Sequence, residues 1–143
     1  MNQHGLNAYR QTEVQSRTPL ELVVMLHDGA LRHLLAAKTA IGRNDIHARK
    51  EAVSRLLAIV SELQNTLDLE RGGEIASSLD ELYGFMMRRI MDAVASNNAA
   101  PLIEVERIIL TLREGWQGIA TVPPNALAGS SAAGTPQQVP RVP

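Results

Sequence analysis

The sequence predicts an all-α protein: an antiparallel up-down four-helix bundle with a short N-terminal leader and a disordered C-terminal tail. Apolar residues recur every three or four positions in four successive segments, the period that gathers side chains on one face of a helix. Glycines, asparagines, capping residues and a proline separate these segments. Because the connections are short, neighbouring helices must run antiparallel. No segment shows the alternating pattern of a strand.

Composition divides the chain into three parts. Residues 1–17 form a polar leader with scattered apolar anchors, among them Tyr9 and Val14, and residues 18–120 form the bundle domain. Residues 121–143 hold five of the seven prolines and no periodic apolar face. We expect this tail to be disordered, because it cannot bury enough apolar surface to offset the entropy of ordering it.

The first helix is expected over residues 18–41. Thr18 can cap it, Pro19 suits the first helical position, and Glu21 lies three residues after Thr18 as the partner in a capping box. Gly42 then ends the helix.

This helix carries more apolar residues than one buried face requires. From Leu20 to Ile41, 14 of 22 positions are apolar, whereas a helix facing one core needs roughly three in seven. One stripe is expected to face the core, and a second needs a cover from elsewhere in the chain or from a partner. Function is therefore expected in a groove. The core stripe is Leu22, Leu26, Ala30, Ala37 and Ile41, and the second stripe is Leu20, Val24, Leu31 and Leu35.

The second helix is capped by Asn44 or Asp45 and is expected to continue to about Leu69. Gly72 and Gly73 stop it, because glycine accepts the left-handed turn that closes a helix. Its apolar positions alternate steps of three and four, the spacing of a bundle seam. They are Val53, Leu56, Val60, Leu63 and Leu67.

The third helix is expected from near Glu74 to Ser96, and a fourth starts at Pro101 after a break at Asn97 and Asn98. Each of the four helices would be about 30–38 Å long. The apolar stripe of the third is Ile75, Leu79, Leu82, Met86, Ile90 and Ala93; that of the fourth is Leu102, Val105, Ile109, Leu112, Trp116 and Ile119.

Composition argues against several classes of function. A formal net charge of −1 and 3% aromatic residues do not suit nucleic-acid binding. No apolar stretch reaches the roughly 20 residues that a membrane helix needs. The N-terminus lacks the pattern of a secretion signal, and the chain has no cysteine. We therefore expect a cytoplasmic protein without membrane insertion.

No residue pattern indicates catalysis, a metal site or a cofactor. No glutamate is followed by histidine three residues later, and no two histidines lie four residues apart. Phosphate-loop and serine-nucleophile motifs are also missing. Because the pair His27 and Asp28 lacks the flanking ligands of a metal-dependent phosphohydrolase, we expect the His27 ring to pack or to cap a groove edge. The protein is expected not to be an enzyme.

Two further positions carry specific expectations. A glycine inside a helix costs about 1 kcal/mol relative to alanine, so Gly29 marks either close helix packing or the approach of a partner's backbone. Arg89 lies on a solvated face or pairs with a carboxylate across the bundle.

Three blocks of this sequence resemble the FliS family, the flagellar secretion chaperones that are specific for flagellin. The likeness covers about residues 7–120 and includes Trp116 near the end of the last helix. The family usually has an aromatic residue at the position of His27. The blocks are Asn7-Ala8-Tyr9 with Val14, Thr18-Pro19-x-x-Leu22-Val23-x-Met25-Leu26-His27-Asp28-Gly29-Ala30, and Gly72-Gly73-Glu74-Ile75-Ala76-x-x-Leu79-x-x-Leu82-Tyr83-x-x-Met86-x-Arg88-Arg89.

The resemblance implies a bundle that binds the disordered C-terminal segment of flagellin, prevents premature polymerisation and passes flagellin to the flagellar type III export apparatus. It also implies that the leader lies in the client groove until it is displaced. The alternative is a helical regulatory adaptor that docks another flagellar assembly or translation regulator. We expect a monomer or a weak homodimer. The expected partner-binding residues are Tyr9 and Val14 in the leader, and Leu22, Met25, Leu26 and Leu31, which could instead be ordinary core.

Overall fold

The computed structural model describes residues 18–120, which fold as four α-helices without a strand among them. Helix α1 packs against α2 and α4, and α3 closes the ring by packing against the same two helices. The predicted four-helix fold is confirmed, whereas the predicted leader and tail lie outside the described residues. The helices are α1 (Pro19–Gly42), α2 (Ile46–Asn65), α3 (Leu69–Ser96) and α4 (Ala100–Ala120).

Ion pairs between α1 and α4 show that these helices are antiparallel. Asp28, early in α1, accepts a hydrogen bond from Arg113, late in α4. Lys38, late in α1, lies 2.9 Å (Nζ–Oε1) from Glu106, early in α4. Because positions farther along α1 meet earlier positions of α4, the two chain directions oppose each other.

Helix α3 is antiparallel to both of its neighbours by the same criterion. The side-chain amide of Gln64, near the end of α2, donates to the carbonyl of Asp80 near the start of α3 at 3.3 Å. Arg89, late in α3, lies 2.9 Å (Nη2–Oε2) from Glu104, early in α4. Of the two alternatives left open for Arg89, the structure therefore shows the pairing with a carboxylate across the bundle.

Side-chain caps begin the first two helices as the sequence predicts. Thr18 and Glu21 form the full capping box: each backbone N–H donates to the other's side chain, at 3.0 and 3.1 Å. Asp45, rather than Asn44, caps α2 by accepting from the Ala48 N–H at 3.1 Å. Asn44 instead adopts a left-handed φ of 56° in the turn between α1 and α2.

The predicted boundary between α2 and α3 is wrong. Helix α2 ends at Asn65 rather than near Leu69, and α3 begins at Leu69 rather than near Glu74. The reason is a local cap: Asp68 accepts from the Arg71 N–H at 3.0 Å and so starts a new helical turn earlier than the glycines. The glycine pair interrupts α3 instead of ending α2, since Gly73 breaks its first part with φ 55° and ψ −132°.

Replacing Gly73 with alanine should destabilise the protein by about 1 kcal/mol, because an L-residue is strained at that backbone conformation. The single turn before Gly73 can unwind, which limits the loss. Gly115→Ala is the matched control: this glycine lies in α4 with open space around an added Cβ, so the change should stabilise by about 0.5–1 kcal/mol. Urea unfolding measures both, and equal shifts, or a more stable Gly73→Ala with a less stable Gly115→Ala, would contradict the prediction.

The core lies between the four helices. The stripe of α1 that faces the core differs from the predicted stripe. Leu34, which the predicted core stripe omits, is fully buried with Ala30 and Ala37, whereas Leu22 is only half-buried. At 100° per residue, Leu22 lies about a quarter turn from the centre of the buried face. Leu26 and Ile41, also in the predicted core stripe, are half-buried and pack against the core.

Close packing of α1 on α2 explains the glycine in the middle of α1. Gly29 is buried, and a Cβ added there would lie 3.1 Å from Cδ1 of Ile59 in α2. That separation is shorter than ordinary van der Waals contact, so an added Cβ would require the Ile59 methyl group to shift by a few tenths of an ångström. The structure favours helix packing over the approach of a partner's backbone as the role of Gly29.

Candidate functional site

One end of the bundle is incompletely packed, and we call it the open end. The antiparallel order brings together the start of α1, the end of α2, the start of α3 and the end of α4. Most apolar side chains there are half-buried, although Leu63 and Ala76 are fully buried. The open end consists of Leu20, Leu22, Val23, Val24, Met25, Leu26, Leu67, Ile75, Leu79, Leu82, Leu112, Trp116 and Ile119.

The opposite end, the closed end, has a sealed interior. Small side chains from α1, α2 and α3 pack with larger ones from α4, and all of them are buried. Half-buried apolar side chains therefore cluster at the open end, while Leu35, Ile46, Met91 and Ile103 are exposed on the outside of the other half. The closed end consists of Ala37, Ala40, Ala52, Val53, Ile90, Ala93, Leu102 and Val105.

The last part of α4 contributes most clearly to the open end. Ile109 is fully buried, but none of residues 110–119 is buried. Leu112 packs against the core cluster, and Trp116 and Ile119 are half-buried. This segment therefore lies along the rim of the bundle and leaves part of the adjoining apolar surface open.

The four binding residues predicted in α1 are all half-buried, but they do not lie together. Leu26 and Leu31 pack against the core cluster, and Leu22 and Met25 are half-buried on the first turns of the helix. By helical periodicity Leu22 and Leu26 face toward α2, whereas Leu31 faces toward α4. The other two predicted residues, Tyr9 and Val14, lie outside the described residues.

The second apolar stripe of α1 is not sealed by the four helices. Leu20, Val24 and Leu31 are half-buried, and Leu35 is 61% exposed. The stripe shares the α4-facing flank of α1 with the ion-paired residues described above, and Leu110 of α4 is 47% exposed. The excess apolar surface that the sequence indicates is therefore present on the folded chain.

His27 lies in the interior below the open end. Its ring is fully buried, Nδ1 lies 2.8 Å from the Val23 carbonyl oxygen, and the ring centre lies 6.4 Å from that of Tyr83. An Nδ1–H that donates to Val23 leaves Nε2 as an acceptor, and Nε2 has no partner among the described residues. The expectation that this ring packs is confirmed.

Burial lowers the pKa of His27 below its ordinary value of 6.5, because desolvation penalises the charged ring. The hydrogen bond to Val23 and the charge of Asp28 oppose this shift, and the charge of Arg113 adds to it. The net direction is downward, so His27 is neutral at neutral pH.

Tyr83 is a core residue that the sequence pattern missed. Its side chain is 1% exposed, and burial raises its pKa to about 12, against a smaller opposing effect of the hydrogen bond with Trp116. The signal was available: Ala76, Tyr83 and Ile90 recur every seven residues and are all buried.

Formal charge is distributed unevenly along the bundle. The half that includes the open end (residues 18–28, 57–84 and 109–120) carries nine carboxylates and two arginines, a net charge of −7. The other half (residues 29–56 and 85–108) carries nine lysines and arginines and five carboxylates, a net charge of +4. The small charge of the whole chain therefore conceals an acidic half and a basic half.

Residues 18–120 hold neither a cluster suited to a metal ion nor a helix suited to cross a membrane. No three or more histidine, cysteine, aspartate or glutamate residues lie together in a way that could hold a metal ion. None of the four helices combines the length and the apolar character needed to cross a membrane.

The bundle and its open end together define a class of protein: a small helical scaffold with more apolar surface than its own core uses. The FliS family profile, described as flagellar protein FliS, matches residues 1–123. The chain therefore belongs to the FliS family of flagellar secretion chaperones, and the resemblance seen in the sequence is confirmed.

Individual relatives carry the same family name. The flagellar secretion chaperone FliS of Salmonella typhimurium is 38% identical over 121 residues, covering 81% of this chain and 90% of that protein. The FliS of Campylobacter jejuni is 38% identical over 118 residues, covering 82% and 92%. The flagellar secretion chaperone FliSB of Pseudomonas aeruginosa is 34% identical over 120 residues, covering 81% and 95%.

Proposed function

We propose that this protein is a cytoplasmic export chaperone that binds the disordered C-terminal segment of flagellin. It keeps that segment from polymerising early and passes flagellin to the flagellar export apparatus. The observation that carries the proposal is the open end, where apolar side chains from all parts of the bundle stay half-buried on a chain of the FliS family. The role is one of binding, without catalysis.

Apolar burial provides enough free energy for this role. Ordering a disordered client costs roughly 2–5 kcal/mol when about 1,000–3,000 Å² is buried. Burial of apolar surface contributes about 25 cal/mol per Å², so about 400 Å² contributes about 10 kcal/mol before association costs are subtracted. The exposed stripe of α1 and the open end offer such surface on a bundle whose closed end is independently packed.

Calorimetry with a peptide from the C-terminal segment of flagellin tests the proposal. A one-to-one complex that also co-elutes in size-exclusion chromatography supports the chaperone role. If the peptide neither binds in calorimetry nor co-elutes, and the protein still binds another flagellar regulator from cells that lack flagellin, the regulatory adaptor is supported instead.

The leader is proposed to cover the open end until the client displaces it. Thr18, the first described residue, lies at that end, so the preceding chain, which carries Tyr9 and Val14, is connected to the bundle there. A competitor on the same chain reduces the apparent client affinity by the fraction of time that the surface is free. Tyr9 and Val14 are the residues proposed to anchor it.

Deleting residues 1–17 should therefore strengthen binding of the flagellin peptide, by about three- to tenfold if the surface is free for about a tenth to a third of the time. Titration calorimetry measures the change. Deletion of residues 121–143 is the matched control, since it removes a segment of similar size and should leave the affinity unchanged. Weaker binding after removal of the leader would show that the leader belongs to the binding site.

A further inference from the structure

The outer seam between α1 and α2 forms an open groove at the closed end of the bundle. Its volume is about 460 Å³, and small side chains, Ala36 of α1 with Ala48 and Ala52 of α2, lie along it. His33 borders it on the α1 side, and His47, Glu51 and Arg55 border it on the α2 side. Because no large side chain fills the seam, the backbone of a bound segment can approach both helices closely.

The same groove continues along α2 and is bordered mainly by basic groups. A second depression of about 370 Å³ is lined by His47, Lys50 and Arg55, with Glu51 as the carboxylate among its lining residues. Glu51 lies 3.2 Å from Arg55, but both side chains are more than half exposed. Pairs of this kind contribute about 0.3–0.5 kcal/mol at most, so Arg55 remains available to another carboxylate.

The charge of the surrounding part of the bundle is also positive. The groove lies in the half of the bundle with a net charge of +4. His33 responds to this positive environment: burial lowers its pKa first, and the charges of Arg32 and Arg55 lower it further. The positive charges of Arg32 in α1 and Arg55 in α2 therefore both affect His33 in the groove wall.

We propose that this groove binds an acidic segment of a partner protein. We infer an acidic occupant because the exposed charges at the groove are predominantly positive. We infer a peptide because the alanine side chains along the groove leave room for a peptide backbone. The basic stretch of α2 from His47 to Arg55 extends about 12 Å, which matches a short peptide. The site is separate from the open end, so an acidic partner can bind while the open end is occupied.

Titration of isotopically labelled full-length protein with a synthetic peptide tests this site. The peptide is about 12 residues of alternating glutamate, alanine and leucine, longer than the groove, and a second peptide carries glutamine in place of glutamate. The acidic peptide should shift the amide resonances of Ala36, Ala48 and Ala52, and the glutamine peptide should not. Binding should also weaken as salt is added.

Charge reversal at Lys50 and Arg55 provides the sharper test. The double variant Lys50→Glu/Arg55→Glu should bind the acidic peptide about tenfold more weakly. The matched control, Arg88→Glu/Arg107→Glu, makes the same change in net charge at two exposed arginines outside the groove and should bind normally. Both double variants should bind the flagellin peptide as the unaltered protein does, which separates this site from the proposed chaperone surface.

Several outcomes would overturn the proposal. Equal loss in both double variants would mean that only net charge matters, and resonance shifts confined to other helices would place the peptide elsewhere. If inorganic phosphate or a short DNA duplex produces the same shifts with equal or higher affinity, the groove recognises anions in general and not an acidic protein segment.

Discussion

Replacing Leu22 and Met25 together with aspartate should weaken binding of the flagellin C-terminal peptide by about 100-fold. Both side chains lie on the first turns of α1 at the open end, half-buried and outside the buried core. A well-packed apolar contact at an interface is worth about 1–2 kcal/mol, so the loss of two corresponds to about 3 kcal/mol. Two carboxylates placed against an apolar client must also be desolvated.

The bundle should still fold in this double variant, because the closed end and the centre of the core are untouched. The matched control is Ile46→Asp/Met91→Asp, which adds the same charges at apolar side chains that are 62% and 50% exposed away from the open end. Calorimetry gives the affinities, and circular dichroism confirms the helical content. Affinity within a few-fold of the unaltered protein, or an equal loss in the control, would contradict the proposed site.

Most of the fold could be predicted because its signals are local. The start of a helix depends on residues three positions apart, such as Thr18 and Glu21. The apolar stripe of α2 is narrow, so only one face of that helix could be the buried one. Val53 and Leu56, predicted from that stripe, are buried in the structure. Where periodicity and capping agree, the sequence is sufficient to place a helix and its inner face.

Two features of the fold were mispredicted because the local signals were ambiguous. Helix α1 is apolar on most of its circumference, so periodicity alone did not single out Leu34 as its buried centre. The pair Gly72 and Gly73 can end one helix or interrupt the next, and the side-chain cap of Asp68 decided for the second. The first choice depends on how the helices pack, and the second depends on a local cap.

The binding surface was predictable in kind but not in detail. An excess of apolar residues in α1 indicated an uncovered stripe, and Leu35 is indeed 61% exposed. The sequence could not show that Leu22 and Leu31 face different neighbours, because that depends on which helices flank α1. Nor could it show that His27 meets Tyr83, since the two residues lie on different helices.

The buried histidine should make folding stability fall as the pH drops. Above pH 6.5, the ordinary pKa of histidine, His27 is neutral in both the folded and the unfolded chain, and stability is at its full value. Below that pH the unfolded chain takes up the proton first, because burial holds the pKa of His27 lower in the folded state. Stability then declines by at most about 1.4 kcal/mol per pH unit until the folded pKa is passed.

Replacing His27 with leucine, a side chain of similar volume, should remove this part of the pH dependence. At pH 7.5 the variant should be more stable by about 1 kcal/mol, since Nε2 is a buried acceptor that no described residue satisfies. His33→Gln is the control: burial and nearby arginines also lower its pKa, but its ring is only half-buried, so a smaller part of the slope should disappear. Urea unfolding at several pH values measures both slopes, and an unchanged slope in His27→Leu would show that the proton is taken up elsewhere.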